Sequence, residues 1–391
     1  MREEKNILKT DVEIPEVVLR KADEALGQIR TDAKPVKKAG KVSRVPGRFR
    51  YAKAAAVACA VLLGAGGITV TAAVVHHLWS RSMQANLQAT EEQQKALEEQ
   101  GLVTQFTQPD EEENVDLSSL EVTSEGITVK PLELIADGHF VHLTFQVAGY
   151  DMEDGAEPCF ENVTVCTGED EDTQSGQVNM NGSFYDGILA NENGEPVYED
   201  GTPLASDENG EIIEHYKAEN GTLEYVMTLY KTGPEESLLG QTLHIHMENL
   251  GTVKKATFMN GIGGTWSFDI PVSGKDVAET YQLDAALKNA NVTVLSAAIS
   301  PISIRIDYEV TGALKAQEDD NGLPQVGGVV LKDGSRLLYL IDGGEMGFQS
   351  DTLAYAIMTF DRVIDVNQVQ SLLFRLHAGD TPEEYVSVDL K

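Results

Sequence analysis

Apolar and polar residues alternate along most of the chain after Leu117, with clear series at 141–147, 223–229, 243–247, 266–272, 302–310 and 337–341. A period of two is typical of strands that bury one face and leave the other in water. Gly, Asn, Asp and Pro separate the series, as turns require. Short strands with frequent turns predict a mainly β protein of antiparallel sheets packed as sandwiches.

Two such sandwiches are expected, because the stretch 126–147 resembles the stretch 291–310. Each has an Ile/Val-Thr-Val strand followed by an alternating strand. The sequence SGKDVAE at 273–279 interrupts the strand pattern, so the predicted sandwiches are 117–275 and 276–391. The first carries an insertion at 151–221 with 19 acidic residues and one basic residue, Lys217. Within it, NENGEPVYEDG and SDENGE predict hairpin turns.

The run from Ala54 to Val75 has 22 residues and no charge. As a helix it would be about 33 Å long, which is enough to cross a hydrocarbon core of about 30 Å. We therefore predict a transmembrane helix at 54–76 that contacts the lipid bilayer through 54–75. Its Ala56, Ala60 and Gly64 form a small-residue face that predicts a weak homodimer, although an Ala-rich span produces such spacing by chance.

Orientation follows from the charges on either side of this run. Residues 1–53 contain 14 Lys and Arg against 8 Asp and Glu, whereas the rest of the chain contains 16 against 55. The positive-inside rule places the N-terminus in the cytoplasm and the C-terminal domains outside the cell membrane. The net charge of −33 excludes the chain as a whole from binding nucleic acid, because it would repel phosphate.

Residues 77–116 link the predicted span to the first sandwich. Ser80 to Gln100 is rich in Ala, Gln, Glu and Leu, which predicts a helical stalk that ends at Gly101. An acidic spacer follows over 108–116. The region is therefore expected to hold the sandwiches away from the membrane.

The predicted cytoplasmic region, residues 1–53, contains one amphipathic segment, 14–30, followed by a basic linker. About fifty residues cannot enclose a core of their own, so the apolar face of this helix needs cover. We predict that Val18, Leu19, Leu26 and Ile29 dock on a cytosolic partner. The alternatives are a helix that lies on the membrane, a helix that self-associates, and a frayed tail without a partner.

Candidate chemistry is sparse. The sequence has no nucleophile-elbow, phosphate-loop or dinucleotide-binding motif, so we expect no enzyme activity and no cofactor. His244 and His246 share one strand face, which is half of a metal site at most, and no metal site is expected. Cys159 and Cys166 would be roughly 23 Å apart on one strand, which favours free thiols. A turn at 161–162 would permit a bridge.

Several stretches together resemble a known class of protein: IPEVVLRKADEALGQI, MQANLQATEEQQKALEEQG, GITVKPLELIADGHFVHLTFQV, GTWSFDIPV, LKDGSRL and DVNQVQSLLF. The chain resembles membrane-anchored ectodomain proteins of low-GC Gram-positive bacteria, described as anti-sigma factor-like or as domains of unknown function. The resemblance implies immunoglobulin-like extracellular domains and a cytosolic sigma factor as partner. It carries over no active-site residues. Residues 1–50 lack the His and Cys of zinc-associated anti-sigma domains.

The sequence thus predicts two immunoglobulin-like sandwiches behind a single transmembrane helix, with a short helical cytoplasmic N-terminus. The expected function is a single-pass envelope sensor or regulator that links the extracellular region to a cytosolic partner. A membrane-anchored surface binding or structural module without a signalling role is the alternative. An extracellular hydrolase is a third hypothesis, which the missing motifs disfavour.

Overall fold

The computed structural model describes residues 43–45, 79–106, 120–152, 155–167, 178–191, 193–208, 210–233, 235–254, 257–314, 322–377 and 379–390. Over these residues the protein is mainly β, with antiparallel sheets, as the alternating pattern predicts. No helix in this region of the chain is long and apolar enough to cross a membrane. The predicted span 54–76, the helix 14–30 with Val18, Leu19, Leu26 and Ile29, and the spacer 108–116 lie outside the described residues.

The first β unit is built from two sheets and a separate hairpin. Its first sheet has the order β2-β4-β5-β10-β7, with β3 also paired to β4; the second has the order β12-β11-β6; and β8 pairs with β9. The strands are β2 (Val103–Gln105), β3 (Val122–Ser124), β4 (Ile127–Ala136), β5 (Val141–Ala148), β6 (Glu157–Cys166), β7 (Asn179–Phe184), β8 (Ile188–Ala190), β9 (Pro196–Tyr198), β10 (Leu223–Tyr230), β11 (Thr242–Lys254) and β12 (Thr257–Pro271).

One hydrophobic cluster lies between the two sheets of the first β unit. Trp266 of β12 is fully buried there and donates from Nε1 to the Ile127 carbonyl at 3.0 Å. The alternating residues of β5 and β10 face Trp266 and Phe160 across the cluster. The series predicted at 141–147, 223–229, 243–247 and 266–272 therefore supplies this core, as period-two patterning requires.

The second β unit has the same two-sheet plan. One sheet has the order β1-β18-β19-β15-β14-β13 and the other the order β17-β16-β20-β21. Its strands after residue 272 are β13 (Glu279–Leu287), β14 (Val292–Ile299), β15 (Ser303–Val310), β16 (Gln325–Leu331), β17 (Arg336–Leu338), β18 (Ile341–Phe348), β19 (Leu353–Phe360), β20 (Val369–Arg375) and β21 (Val386–Asp389).

A second cluster fills the space between these two sheets, and fully buried Tyr308 lies within it. The series at 302–310 forms β15 as expected. The series at 337–341 is not one strand, because Tyr339 has φ 57° and ends β17 two residues before β18 begins in the other sheet. A left-handed residue turns the chain, so the alternation of Leu337, Tyr339 and Ile341 spans a corner.

Strand β1 (Ser43–Val45) lies within the stretch that the sequence predicts to be a basic linker. It pairs antiparallel with β18, with Ser43 opposite Met346 and Val45 opposite Gly344. The edge of this sheet is therefore extended by a segment that precedes the apolar run in sequence.

The predicted stalk takes a different form. Two short helices, α1 (Arg81–Asn86) and α2 (Glu91–Gln100), are joined by an extended link and packed against both β units. Thr90 begins α2 with a reciprocal capping box to Gln93, and Gly101 ends it at φ 76°, as the sequence predicts. Helix-forming residues predict a free stalk, but the apolar ones face neighbouring sheets, so the segment 79–100, here called the wedge, is built into the fold.

The wedge lies where the outer faces of two sheets meet, which we call the seam. Met83 and Leu87 of the wedge are fully buried with Ile135 of β4 and with Ile302, just before β15. Beside them, Phe140 packs with Tyr355 and Ile357 of β19. Both β4 and β19 are consequently buried on both faces in the seam.

Candidate functional site

Among the described residues, a groove of about 1080 Å³ lies beside the start of the wedge. Three groups of residues form its walls. The wedge contributes its first three residues, β5 and β10 contribute one polar side chain each, and the acidic insertion contributes most of the rest. The lining residues are Trp79, Ser80, Arg81, Gln146, Gly187, Tyr198, Glu199, Asp200, Thr202, Ala205, Ile213, His215, Lys217, Ala218, Glu219, Asn220, Thr222 and Glu224.

The wedge begins on two buried carboxylates of the first sheet. The backbone N–H of Ser80 donates to Glu133 Oε1 at 3.1 Å, and the Ser80 hydroxyl donates to the same oxygen. Two residues further on, the backbone N–H of Ser82 donates to Glu224 Oε2 at 2.7 Å. Ser80 also caps α1 by accepting from Met83 N. Strands β4 and β10 therefore fix the path of the chain at the groove.

Arg81 extends from the wedge across the groove to the insertion. Its Nε and Nη2 donate to Glu199 Oε1 at 2.9 and 2.6 Å, and Nη2 also reaches the His215 carbonyl at 3.3 Å. The guanidinium carbon lies 5.3 Å from the centre of the Tyr185 ring. A carboxylate, a carbonyl and an aromatic face thus surround one cationic group.

Asx turns and a tyrosine hydroxyl shape the outer wall of the groove. The β8–β9 hairpin turns at Asn191, whose Oδ1 accepts from Asn193 N and Glu195 N. Tyr198, at the end of this hairpin, accepts from Ala205 N at 3.0 Å and donates to the Ile213 carbonyl at 2.9 Å. The two turns predicted in the insertion are present at 191–195 and 207–211.

The electrostatics of the groove are dominated by burial and by neighbouring carboxylates. Burial raises the pKa of Glu133 to about 7, with a further rise from Glu224 that the two Ser80 donors oppose. The pKa of Arg81 is raised above its ordinary value although burial alone would lower it, because Glu199 accepts from it. Burial raises the pKa of Tyr185, and Glu199 adds to that rise. Glu133 therefore holds a proton up to neutral pH.

A series of hydrogen bonds between side chains crosses the seam. Asn86 Nδ2 donates to His142 Nδ1 at 2.8 Å, so the imidazole proton lies on Nε2 and points to Thr359 Oγ1 at 3.1 Å. Thr359 donates in turn to the Ile302 carbonyl. Burial lowers the pKa of His142 to about 4, and a proton on Nδ1 would face the Asn86 donor. The neutral imidazole thus joins the wedge to the second β unit.

A second polar contact holds the two β units together. Asp137 Oδ2 accepts from the hydroxyls of Ser300 and Ser303 at 2.5 Å each, while Oδ1 accepts from the backbone of His139 and Phe140 at 2.9 Å each. The carboxylate is buried and has four donors. The groove, the wedge and the seam are therefore connected by hydrogen bonds with defined donors and acceptors.

The residues considered from sequence as metal or redox candidates lie elsewhere. His244 pairs with Asp269 at 2.7 Å and His246 with Ser267 at 2.8 Å, on the outer face of β11 and β12. No group of three or more His, Cys, Asp or Glu suited to a metal ion occurs among the described residues. Cys159 and Cys166 lie near opposite ends of the one strand β6, as the geometric argument supposed, and no disulfide joins them.

Sequence reasoning did not identify the groove, because its walls are far apart along the chain. Arg81 and Glu199 are separated by 118 positions, and Ser82 and Glu224 by 142. One sequence feature could have indicated a covering element: apolar residues occupy both odd and even positions in β4 and β19. Strands that bury both faces need a second covering element, which is the wedge for β4 and Phe140 of the first β unit for β19.

Comparisons with known proteins identify no family. No family model matches the chain, and no curated protein matches it. One similar solved structure is a conserved domain protein from Bacillus anthracis, 14% identical, with a TM-score of 0.39 over 71% of this chain and 83% of that one. Another is the CupB6 tip adhesin from Pseudomonas aeruginosa, 10% identical, with a TM-score of 0.15 over 68% of this chain and 97% of that one.

Proposed function

We propose that this protein is a single-pass envelope sensor or regulator. In this proposal 54–75 crosses the lipid bilayer, 1–53 lies in the cytoplasm, and the two β units, taken to be immunoglobulin-like, lie outside. Val18, Leu19, Leu26 and Ile29 would contact a cytosolic partner, for which a sigma factor is the proposed class. The groove would bind the external ligand.

The position of the wedge is the observation that carries this proposal. A protein that only needs a surface anchor can be joined to it by a flexible linker. In this chain the first described residue after the proposed span, Trp79, is already buried in the fold and only 3% exposed. From there Met83 and Leu87 contact both β units. A displacement at the groove would therefore be transmitted to the residues that follow the proposed span, instead of being lost in a flexible linker.

The sheets support the finer fold assignment. In each β unit two antiparallel sheets enclose one cluster, and neighbours within a sheet include strands distant in sequence, such as β10 beside β5. Such crossovers between two packed sheets are the pattern of immunoglobulin-like sandwiches.

The pairing of β1 with β18 stands against the proposed topology. If 54–75 crosses the membrane, Ser43–Val45 and β18 are on opposite sides of it and cannot pair. The proposed topology places Arg44 in the cytoplasm, whereas the pairing of β1 with β18 places it on the same side as the β units. The two therefore make opposite predictions for the accessibility of Arg44 from outside the cell.

The test is an Arg44→Cys variant in which the three native cysteines are replaced by alanine. In intact cells, a membrane-impermeant maleimide should leave Cys at position 44 unlabelled until the membrane is permeabilised. A matched Glu208→Cys variant, in the exposed region of the insertion, should be labelled without permeabilisation. Labelling of position 44 in intact cells, or protection of position 208, would overturn the topology.

Deletion of residues 2–30 distinguishes the sensor proposal from the alternative of a surface module without a signalling role. Under the proposal, the deletion abolishes co-purification of a sigma factor with the full chain, and so does replacement of Val18, Leu19, Leu26 and Ile29 by serine. Replacement of Asp23 and Glu24 by serine is the matched control and should leave co-purification intact. If no sigma factor accompanies the unmodified chain, the regulatory proposal fails and the surface-module alternative takes its place.

A further inference from the structure

We propose that the groove contains a subsite for a guanidinium or ammonium group, and that the chain's own Arg81 occupies it. A ligand with such a group would then bind by displacing the start of the wedge. This inference rests on the proposed function and deepens it, because it names the chemical class of the ligand and the way in which binding reaches the wedge.

The surroundings of Arg81 are those of a bound cationic ligand. Glu199 accepts two N–H groups on one oxygen, the His215 carbonyl accepts a third contact, and the Tyr185 ring lies 5.3 Å from the guanidinium carbon. Carboxylate, carbonyl and aromatic face are the three groups that recognise guanidinium and ammonium ions. The Arg81 side chain differs from such a ligand only in that it belongs to the wedge.

This contact is open to competition from solvent. The Arg81 side chain is 24% exposed and the Glu199 side chain 40% exposed, so both partners can be reached from the groove. Ion pairs with this exposure contribute little to stability, since each partner is hydrated when the pair opens. Exchange of one cation for another at Glu199 is therefore inexpensive in free energy.

The remainder of the groove favours a cationic ligand that is longer than one side chain. Asp200, Glu219 and Glu224 line it, and Lys217 is the other Lys or Arg among the lining residues. When Arg81 leaves, Glu199, Asp200 and Glu219 face the ligand together, while Glu224 stays bonded to Ser82. A concave acidic wall concentrates cations. A groove of about 1080 Å³ accommodates several residues of an extended basic peptide.

Displacement of Arg81 would act on the wedge directly. Ser80 and Ser82, its neighbours on either side, are held through their backbone N–H groups by Glu133 and Glu224. Once Arg81 is released, the start of the wedge loses its contact with the insertion and keeps only its contacts with Glu133, Glu224 and the apolar residues packed around Trp79 and Met83. Occupancy of the groove is thereby coupled to the residues that follow the proposed span.

The test is calorimetric binding of tetra-arginine to the full chain in detergent at 0.15 M salt, with spermine as a free-amine arm and tetra-glutamate as the opposite-charge arm. We expect tetra-arginine to bind and tetra-glutamate not to bind. Arg81→Ala should bind tetra-arginine up to about fivefold more tightly, the factor for an open state populated at about 20%, which an exposed pair of about 1 kcal/mol leaves. Glu199→Gln should weaken binding at least about tenfold, in either background.

Arg336→Ala is the matched control, because Arg336 is exposed, lies in β17 away from the groove, and its loss changes the net charge equally. Its affinity should stay within about twofold of the unmodified chain, as should that of Arg81→Lys, which keeps a tethered cation. An Arg81→Ala affinity equal to or weaker than that of Arg336→Ala would overturn the proposal. Stronger binding of spermine than of the peptide would assign the subsite to free polyamines and overturn the peptide class.

A measurement on the unmodified chain remains decisive if Arg81→Ala does not fold. The sequence has two tryptophans, and Trp266 is fully buried in the first core. Tetra-arginine should change the tryptophan fluorescence, and Trp79→Phe should abolish the change. An unchanged spectrum at saturating peptide would overturn displacement. Since this assay uses detergent-solubilised protein, its outcome is independent of the labelling test of topology.

Discussion

At the residue scale, burial shifts the pKa values of two titratable side chains in opposite directions. Burial raises the pKa of Glu133 to about 7 and lowers that of His142 to about 4. Both are therefore neutral in the folded protein at mildly acidic pH. Neither was identifiable from the sequence, because the patterns of β4 and β5 predict that these positions face water, whereas the wedge and the second β unit cover them.

Glu133→Gln should change the pH dependence of stability. The folded pKa lies above the ordinary value of 4.5, so the contribution of Glu133 is fully present below pH 4.5 and is lost as pH rises through about 7. That loss is about 3 kcal/mol at most. Thermal unfolding of both proteins between pH 4.5 and 8 should show the variant gaining relative to the unmodified chain as pH rises. A constant difference across this range would contradict the burial argument.

His142→Asn should give the opposite trend. The folded pKa lies below the ordinary value of 6.5, so the contribution of the neutral imidazole is present above pH 6.5 and is lost as pH falls towards 4. The unmodified chain should therefore lose stability relative to the variant on acidification, by about 3 kcal/mol at most, as thermal unfolding over the same range would show. A stability difference between the two proteins that stays constant from pH 4.5 to 8 would contradict the burial of the neutral imidazole.

At the element scale, the sequence predicted strands and helix ends better than it predicted how elements meet. The alternation of apolar and polar residues predicted β5, β10, β11, β12 and β15, because one face of each of these strands packs in a two-sheet core. Composition gave helix at 80–100 and its end at Gly101. Composition could not predict the extended link between α1 and α2. In that link Gln88 pairs with Arg362, so its conformation depends on a residue 274 positions away.

Thr90→Ala should loosen the wedge at the start of α2. Thr90 Oγ1 accepts from Gln93 N at 3.2 Å, and Gln93 Oε1 accepts from Thr90 N at 2.9 Å. Loss of such a cap costs about 1 kcal/mol. Hydrogen exchange of the amides of 90–94 should therefore accelerate about fivefold in the variant. Thr90→Ser keeps the hydroxyl and should exchange as the unmodified chain does; equal acceleration in both would show that the methyl group matters instead.

At the scale of the whole molecule, the seam joins the two β units, each of which has its own hydrophobic core. The polar contacts across it involve Asp137 with two serines and Arg305 with Glu235 at 3.0 Å. Sequence patterns report periodicity within a strand and are silent on contacts separated by 163 or 166 positions. The groove and the seam are therefore the features that sequence could not supply, and they are also the ones on which the functional proposals depend.

Asp137→Ala should uncouple the two β units. The variant leaves two serine hydroxyls and two backbone N–H groups without their charged acceptor, and hydrogen bonds to charged groups contribute about 1.5–3 kcal/mol each. Calorimetry of the unmodified chain should show one cooperative transition, and the variant should show two. Asp351→Ala, on an exposed turn, should retain a single transition. A single unshifted transition in Asp137→Ala would show that apolar packing alone unites the units.

The wedge also fixes an order of events during synthesis. Except for β1, the strands of both β units leave the ribosome after the wedge, yet Gln88 and Gln93 bond to the backbone of Val363, which is translated some 270 positions later. At about 5–20 residues per second, that interval exceeds roughly 10 s. Through this time Met83 and Leu87 have no completed surface to bury against. The wedge is consequently translated early but can reach its final contacts only after Val363 has been made. Until then a nascent chain presents apolar side chains that a chaperone can recognise.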